Sequence, residues 1–297
     1  KNIEFVHGNI NDQNLVSKIF KDFGITHIIN FAAESHVDRS INDPSIFLET
    51  NILGTYNLLD CFKRNWEINN KPKSWRFLHI STDEVFGSLK IDEKPFSEVS
   101  SYKPRSPYAA SKASSDHLVR AWHNTYDIPT LITNCSNNYG PFQFPEKLIP
   151  LTITNIIRGK KIPVYGDGLN IRDWLFVGDH CSAIDIILQK AIPGSTYCIG
   201  GNNELTNIDL INQICILIDE YAQKLNINLS KNKSSNLISY VEDRPGHDKR
   251  YSINSEKLLN ELNWKPKIKF KDGLKTTVKW YLTNFSWWEP IIKINNH

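Results

Sequence analysis

Three near-continuous apolar runs, at residues 26–33, 75–81 and 130–135, punctuate the first half of the chain, with helical patterns between them. A strand that is apolar on both faces belongs in a parallel sheet covered by helices on both sides. Parallel neighbours need a long crossover rather than a hairpin, and the intervening stretches supply it. Residues 11–23 place Leu15, Ile19 and Phe20 at helical spacing and stop at Gly24. Residues 44–65 carry Ile46, Phe47, Ile52, Leu58, Leu59 and Phe62 along one side. Residues 107–126 open with a proline, which suits a first helical turn. With a short strand expected at 4–8, this order predicts an α/β fold: a doubly wound, Rossmann-like parallel sheet.

The pattern changes after Gly140. A proline-broken aromatic loop at 141–150 leads to a helix at 151–159, a strand and turn at 162–168, a strand at 172–177 and a helix at 178–190. A strand at 197–201 and helices at 208–225 and 255–262 follow. Residues 1–140 are therefore expected to form a dinucleotide-binding domain, with a return segment near 170–200. Residues 141–297 are expected to build mainly a smaller α/β substrate domain. The closing aromatics Trp280, Tyr281, Phe285, Trp287 and Trp288 are expected to pack against it.

Composition excludes several classes. The net charge of +3 comes from cations scattered among acids, with no basic stripe for nucleic acid. The longest apolar runs are strand-sized, too short for a membrane span. The five cysteines are odd in number and lack a C-x-x-C pair, so they read as reduced thiols of a cytoplasmic protein. No His/Cys/Asp/Glu set has metal-ligand spacing, so no metal is expected.

Ligands of doubly wound sheets lie beyond the carboxyl ends of the strands. Three strings follow expected strand ends: Ala33-Glu34-Ser35, Thr82-Asp83-Glu84 and Ser136-Asn137-Asn138. They should converge on one crevice. Tyr108 and Lys112 stand four apart, on one helix face, so the ammonium can favour a phenolate that acts as a base. Such spacing also occurs on ordinary solvated helices; the preceding strand and the flanking Pro104 and Pro107 favour function. Asp83 and Glu84 would point to opposite faces inside a strand, so both serve one site only if the backbone turns beyond it. A helix cap would explain one carboxyl group but not two. Oxidation by a Tyr/Lys pair and elimination of water by a carboxyl pair are the chemistry such a crevice offers. Asn137 and Asn138 suit a nucleotide sugar or an ordinary turn. Lys147, Arg172, Arg244 and His247 are cations of the kind a diphosphate needs, Arg172 being the strongest candidate.

The strings FAAESHVDRSI (31–41), ETNILGTYNLL (49–59), HISTDEVFG (79–87), SPYAASKASSDHLVRAW (106–122), TNCSNNYGPFQFPEKLIP (133–150), IRDWL (171–175) and DRPGHDKRY (243–251) resemble the dTDP-glucose 4,6-dehydratase family of extended short-chain dehydrogenase/reductases. The resemblance spans nearly the whole chain. It implies NAD as cofactor, a nucleotide-sugar substrate and a homodimer built through helices 44–65 and 107–126. It implies that Tyr108, tuned by Lys112, deprotonates the glucose 4-hydroxyl as C4 is oxidised. Glu84 then removes the C5 proton, neutral Asp83 protonates the departing 6-hydroxyl, and C6 is reduced. Thr82 would hold the 4-hydroxyl. NAD would be touched by Asn9, Ile10, Phe31, Ala32, Ala33, Glu34, Ser35, Thr50 and Asn138, besides Tyr108 and Lys112. The family usually has aspartate where Asn9 stands. The sugar nucleotide would be lined by Ser35, Thr82, Asn137, Lys147, Leu148, Ile149, Pro150, Leu151 and Thr152. Pro163, Val164, Tyr165, Arg172, Asn207, Asp243, Arg244, Pro245, Gly246 and His247 would complete that pocket. Relatives that epimerise or decarboxylate sugar nucleotides share Tyr and Lys but not the Thr-Asp-Glu run, and they form the alternative.

The chain begins with Lys, contains no Met and has no G-x-G-x-x-G or G-x-x-G-x-x-G turn. That suggests a missing first βα unit, roughly 50 residues with its following strand. On that reading the chain alone would hold NAD poorly, because no helix N-terminus receives the pyrophosphate. An inactive remnant is then a further alternative.

Overall fold

The computed structural model describes residues 3–229 and 233–294. In chain order the elements begin with α1 (Gln13–Phe23), β1 (His27–Asn30), α2 (Val37–Asn42), α3 (Ser45–Phe47), a π-helical turn Leu48–Leu53 and α4 (Gly54–Ile68). Then come β2 (Arg76–Thr82), a 3-10 turn Asp83–Phe86, α5 (Pro107–Tyr126), β3 (Thr130–Cys135), β4 (Asn137–Tyr139) and α6 (Leu148–Ile157). The second half holds β5 (Ile162–Tyr165), β6 (Ile171–Phe176), α7 (Val177–Lys190), β7 (Thr196–Ile199), β8 (Glu204–Thr206) and α8 (Asn207–Leu225). It ends with β9 (Ile238–Val241), α9 (Glu256–Leu262), α10 (Phe270–Thr283) and α11 (Phe285–Ile294).

The apolar runs pair as a parallel sheet in the order β1-β2-β3-β7. The register puts Thr82 opposite Cys135 and Cys135 opposite Ile199, so the carboxyl ends of three strands lie level. This alignment makes one crevice of three loops far apart in sequence. Beneath it, Phe62, Phe77, Val119 and Ile132 pack on one side, and Leu131, Ile184, Ile187 and Leu258 on the other. The remaining strands form β4-β6-β8 and the pair β5-β9. Around them Ile149, Ile153, Ile211, Ile214 and Val278 form a second core, which also buries Tyr281 and Trp288. The aromatic end of the chain thus packs on the second half, as its composition suggests.

Two expectations need correction. Residues 4–8 form no strand; Phe5 is 84% exposed, and no neighbouring strand pairs with this segment among the described residues. A strand is held by its partner's hydrogen bonds, not by its own apolar content. The helix expected over 44–65 is real but interrupted: α3 runs into the π-helical turn before α4 begins. A π-turn rotates one residue off the regular face, and here the buried Asn51 lies in it.

Candidate active site

Strand β2 ends at Thr82, and the backbone enters the 3-10 turn carrying Asp83 and Glu84. Thr82 Oγ1 caps the turn by accepting from the Glu84 amide at 3.3 Å. Gly87 closes it with φ 89°, and a Cβ there would lie 2.5 Å from the Lys103 carbonyl oxygen, so a side chain is excluded. The turn splits the two carboxyl groups. Asp83 is 2% exposed and its Oδ2 has no hydrogen-bond partner among the described residues. Glu84 lines an open cleft of about 300 Å³.

This difference in surroundings separates their proton affinities. Burial, then the neighbouring Glu84 and Asp173, push the Asp83 carboxyl well above its ordinary range. Burial also raises Glu84, but Arg244, Arg172 and Lys147 oppose it. Asp83 is the group that keeps its proton, and Glu84 the one closer to ionisation. Two titratable groups driven apart in this way form an acid/base pair.

Tyr108 and Lys112 project from α5, whose start is capped by the Ser106 hydroxyl accepting from Ala109 N at 3.1 Å. The Tyr108 phenol is buried, and the Thr82 side chain acts against the rise in its proton affinity. Burial raises its proton affinity well above the ordinary value, and Glu84 and Cys135 add to this. The Lys112 ammonium is also buried and donates to the Ile80 carbonyl at 2.7 Å. The ammonium that the spacing sets beside the phenol is therefore engaged with β2. Burial and the nearby carboxyl groups dominate the phenol.

The strip after β1 is clamped to α5 by one residue that the sequence reading missed. Asn51 Oδ1 accepts from Glu34 N at 2.9 Å, while Asn51 Nδ2 donates to Glu34 O at 3.0 Å and to Ser111 Oγ at 2.8 Å. Phe31, Ala32, Ala33 and Ser35 lie on this half-exposed strip. Asn9 and Ile10 come close to Thr50 through Asn11, whose side chain donates to the Glu49 carbonyl at 3.1 Å. Asn138 Nδ2 donates to Ser136 O and Cys135 Sγ, and its buried Oδ1 has no hydrogen-bond partner among the described residues.

Eleven of the residues expected to hold the sugar nucleotide do line the cleft, together with the catalytic Glu84: Ser35, Asn137, Lys147, Leu148, Leu151, Pro163, Tyr165, Arg172, Asn207, Arg244 and His247. Ile149, Thr152 and Val164 turn instead into the second half's core, and Pro150 is buried with them. The reason is periodicity. On α6 the cleft face takes Leu148 and Leu151, three apart, and the residues between face inward. On β5 Pro163 and Tyr165 face the cleft, and the alternate Val164 cannot. Asp243 holds His247, with Nδ1 and Oδ1 2.6 Å apart, while Pro245 and Gly246 form the turn between them. His36, Val37, Asp38, Glu146, Trp174 and Tyr251 also line the cleft. The sequence did offer signals for them: His36, Val37 and Asp38 follow the strip after β1, Trp174 alternates with Arg172 on β6, and Glu146 and Tyr251 lie in the matching strings.

The cations are already engaged. Lys147 Nζ donates to Ser35 O at 2.7 Å, and Arg244 Nη1 pairs with Asp38 Oδ1 at 3.2 Å. Arg172 stacks over the Tyr251 ring at 4.3 Å and donates to the Ile171 and Asp248 carbonyls. The first two contacts join the strip after β1 to the second half of the chain across the cleft. No group of three or more His, Cys, Asp or Glu residues that could hold a metal occurs among the described residues.

A parallel doubly wound sheet with tyrosine, lysine and two carboxyl groups at its carboxyl edge defines the short-chain dehydrogenase/reductase class. The comparisons narrow it. A family model described as GDP-mannose 4,6 dehydratase matches residues 1–277. The dTDP-glucose 4,6-dehydratase of Xanthomonas campestris pv. campestris is 50% identical over 290 residues, covering 97% of this chain and 81% of the relative. The crystal structure of DesIV, a dTDP-glucose 4,6-dehydratase from Streptomyces venezuelae with NAD and TYD bound, matches with TM-score 0.85 at 44% identity, over 97% of this chain and 82% of that one. The Bacillus anthracis dTDP-glucose 4,6-dehydratase in complex with NAD gives TM-score 0.82 at 45% identity, over 98% and 83%. The chain belongs to the dTDP-glucose 4,6-dehydratase family.

Proposed function

We propose that this chain removes water from dTDP-glucose to give the 4-keto-6-deoxy sugar, with NAD recycled. The observation that carries the reading is the split carboxyl pair: Asp83 is buried, with its proton affinity pushed well above the ordinary range by burial, and Glu84 lies in the cleft among cations. An epimerase or decarboxylase has no use for that pair.

The residues present fit NAD at the edge of the sheet. The buried Asn138 Oδ1, without a hydrogen-bond partner among the described residues, with the small Ala32 and Ala33 on the Asn51-clamped strip, suits a flat polar ring. When bound, NAD supplies a two-electron acceptor that ends the cycle as it began. Tyr108 takes the proton of the 4-hydroxyl, which Thr82 orients. Glu84 takes the C5 proton, made acidic by the new ketone, and returns a proton there. Asp83 gives its proton to the leaving 6-hydroxyl, and water departs. One proton must then pass from Tyr108 to Asp83. Thr82, whose side chain acts on the phenol, has its Oγ1 3.4 Å from Asp83 Oδ1, which supports that return. Arg172, Arg244 and Lys147 hold the diphosphate, and Tyr165, Pro163, Asn207 and His247 hold the nucleoside.

The same reading takes residues 1–140 with the returning α7 and β7 as the cofactor half and the rest as the substrate half. A homodimer is supported by exposed Ile46, Leu48, Leu53, Tyr56 and Tyr126 on or beside the outer faces of α4 and α5. Five free cysteines support a cytoplasmic location. Among the described residues no helix is long and apolar enough to cross a membrane. The test is incubation with dTDP-glucose and NAD, followed by development of the 4-keto chromophore in base. An unchanged sugar, or a 4-epimer with its 6-hydroxyl intact, sinks the proposal.

A further inference from the structure

One carboxylate on the near wall of the cleft reaches two side chains of the far wall at once. Asp38 stands in the first turn of α2. Its Oδ1 accepts from Arg244 Nη1 at 3.2 Å, and its Oδ2 accepts from Tyr165 Oη at 3.3 Å. Tyr165 ends β5, and its register partner Val241 ends β9, shortly before Arg244. These two strands form a sheet of their own, so among the described residues no backbone ladder joins them to the sheet that carries the catalytic turn. The short helix α2 is held independently of Asp38. Arg39 Nη2 pairs with Glu146 Oε2 at 2.7 Å, and the buried Ser40 donates to the Val37 carbonyl at 2.6 Å.

We propose that Asp38 is a positioning residue for the sugar nucleotide: its two oxygens fix the Arg244 guanidinium and the Tyr165 ring against α2, so that the nucleotide meets a far wall already in place. This rests on the reading given above, in which Arg244 holds the diphosphate and Tyr165 the nucleoside. A carboxylate only accepts, and its two oxygens can serve two donors together. An asparagine has one acceptor oxygen and an alanine side chain none. The guanidinium is a planar fork of five donors, so one bond through Nη1 restrains it and leaves others for phosphate. Its Nε is buried and has no hydrogen-bond partner among the described residues. Restraining a long side chain beforehand removes an ordering cost that the ligand would otherwise meet. The Asp38 side chain is 32% exposed and that of Arg244 23%, and a pair so open to water adds little to folding. Orientation is what remains for it to supply. The negative charge of Asp38 repels a diphosphate, which sets the rival expectation. A carboxylate that merely occupied Arg244 would weaken binding, and its removal would tighten it.

Calorimetric titration with dTDP reads the effect without turnover. Asp38→Ala should weaken dTDP binding about fivefold, the scale of coupling between groups in contact. Asp38→Asn, which keeps one acceptor, should weaken it less. In an Arg244→Gln background the same alanine change should cost about twofold or less, because the main group it positions is gone. NAD affinity should stay at the wild-type value, and the melting temperature within about 3 °C of it. Unchanged or tighter dTDP binding in Asp38→Ala overturns the proposal. So does a loss that is undiminished in the Arg244→Gln background, or an equal fall in NAD affinity, which marks a general loosening of the fold. Asp38→Asn carries the same cycle if the alanine variant does not fold. The single variant Arg244→Gln tests the underlying reading by itself. Were it to bind dTDP as tightly as the wild type, the assignment of the diphosphate to Arg244 would fail, and the proposal with it.

Discussion

Asp83 and Glu84 are adjacent in the chain, yet Asp83 is enclosed by protein and Glu84 opens onto the cleft. The 3-10 turn after β2 produces this separation: burial pushes the Asp83 carboxyl well above its ordinary range, while Arg244, Arg172 and Lys147 oppose the rise at Glu84.

Asp83→Asn should lower dehydration by about a hundredfold or more, the scale of a lost general acid. Oxidation at C4 should persist, so reduced nicotinamide accumulates and is seen in its near-ultraviolet absorbance. The same change should stabilise the fold at neutral pH. The folded carboxyl binds its proton more tightly than the unfolded one, so wild-type stability falls as pH rises above the ordinary aspartate value of about 3.9. The Asn variant lacks that fall. Melting temperatures should converge near pH ~4 and diverge near pH ~8.

The elimination step should show an acid limb set by Glu84. Its proton affinity is raised, so the base form is lost as pH drops through a value above the ordinary glutamate value of about 4.3. Arg244→Gln removes a cation that opposes the rise and should move this limb to higher pH. A pH profile of single-turnover elimination in both proteins checks the direction.

Arg244→Gln should also raise KM for the sugar nucleotide about tenfold or more, the worth of one charged hydrogen bond to phosphate. It frees Asp38 from its ion pair. KM for dTDP-glucose, compared with inhibition by dTDP alone, separates loss of diphosphate binding from loss of chemistry.

Asn51→Ala leaves the Glu34 amide and carbonyl without their partner inside the fold. The expected cost is about 1–3 kcal/mol of stability for an unsatisfied buried group. The strip carrying Ala32 and Ala33 loosens with it, so NAD affinity should fall. Chemical denaturation and NAD titration measure the two effects separately.

Much of this was legible in the sequence. The apolar runs gave the parallel sheet, because strands buried on both faces cannot alternate with polar residues. Thr82, Asp83 and Glu84 were found because a strand must end before two consecutive side chains can serve one site. Asn51 was not found: its role depends on a π-helical turn that no periodicity announces. Ile149, Thr152 and Val164 lay inside the contiguous stretches 147–152 and 163–165 that the resemblance assigned to the pocket, but a contiguous stretch includes both faces of its helix or strand.

The sequence by itself determined which side chains were available and which strands had to be buried, since hydrophobic burial and backbone pairing depend on local pattern. Only the tertiary structure decided which carboxyl keeps its proton, where Lys112 is engaged and which cations meet at the cleft. Those are matters of desolvation and distance between segments remote in the chain, and local pattern carries neither.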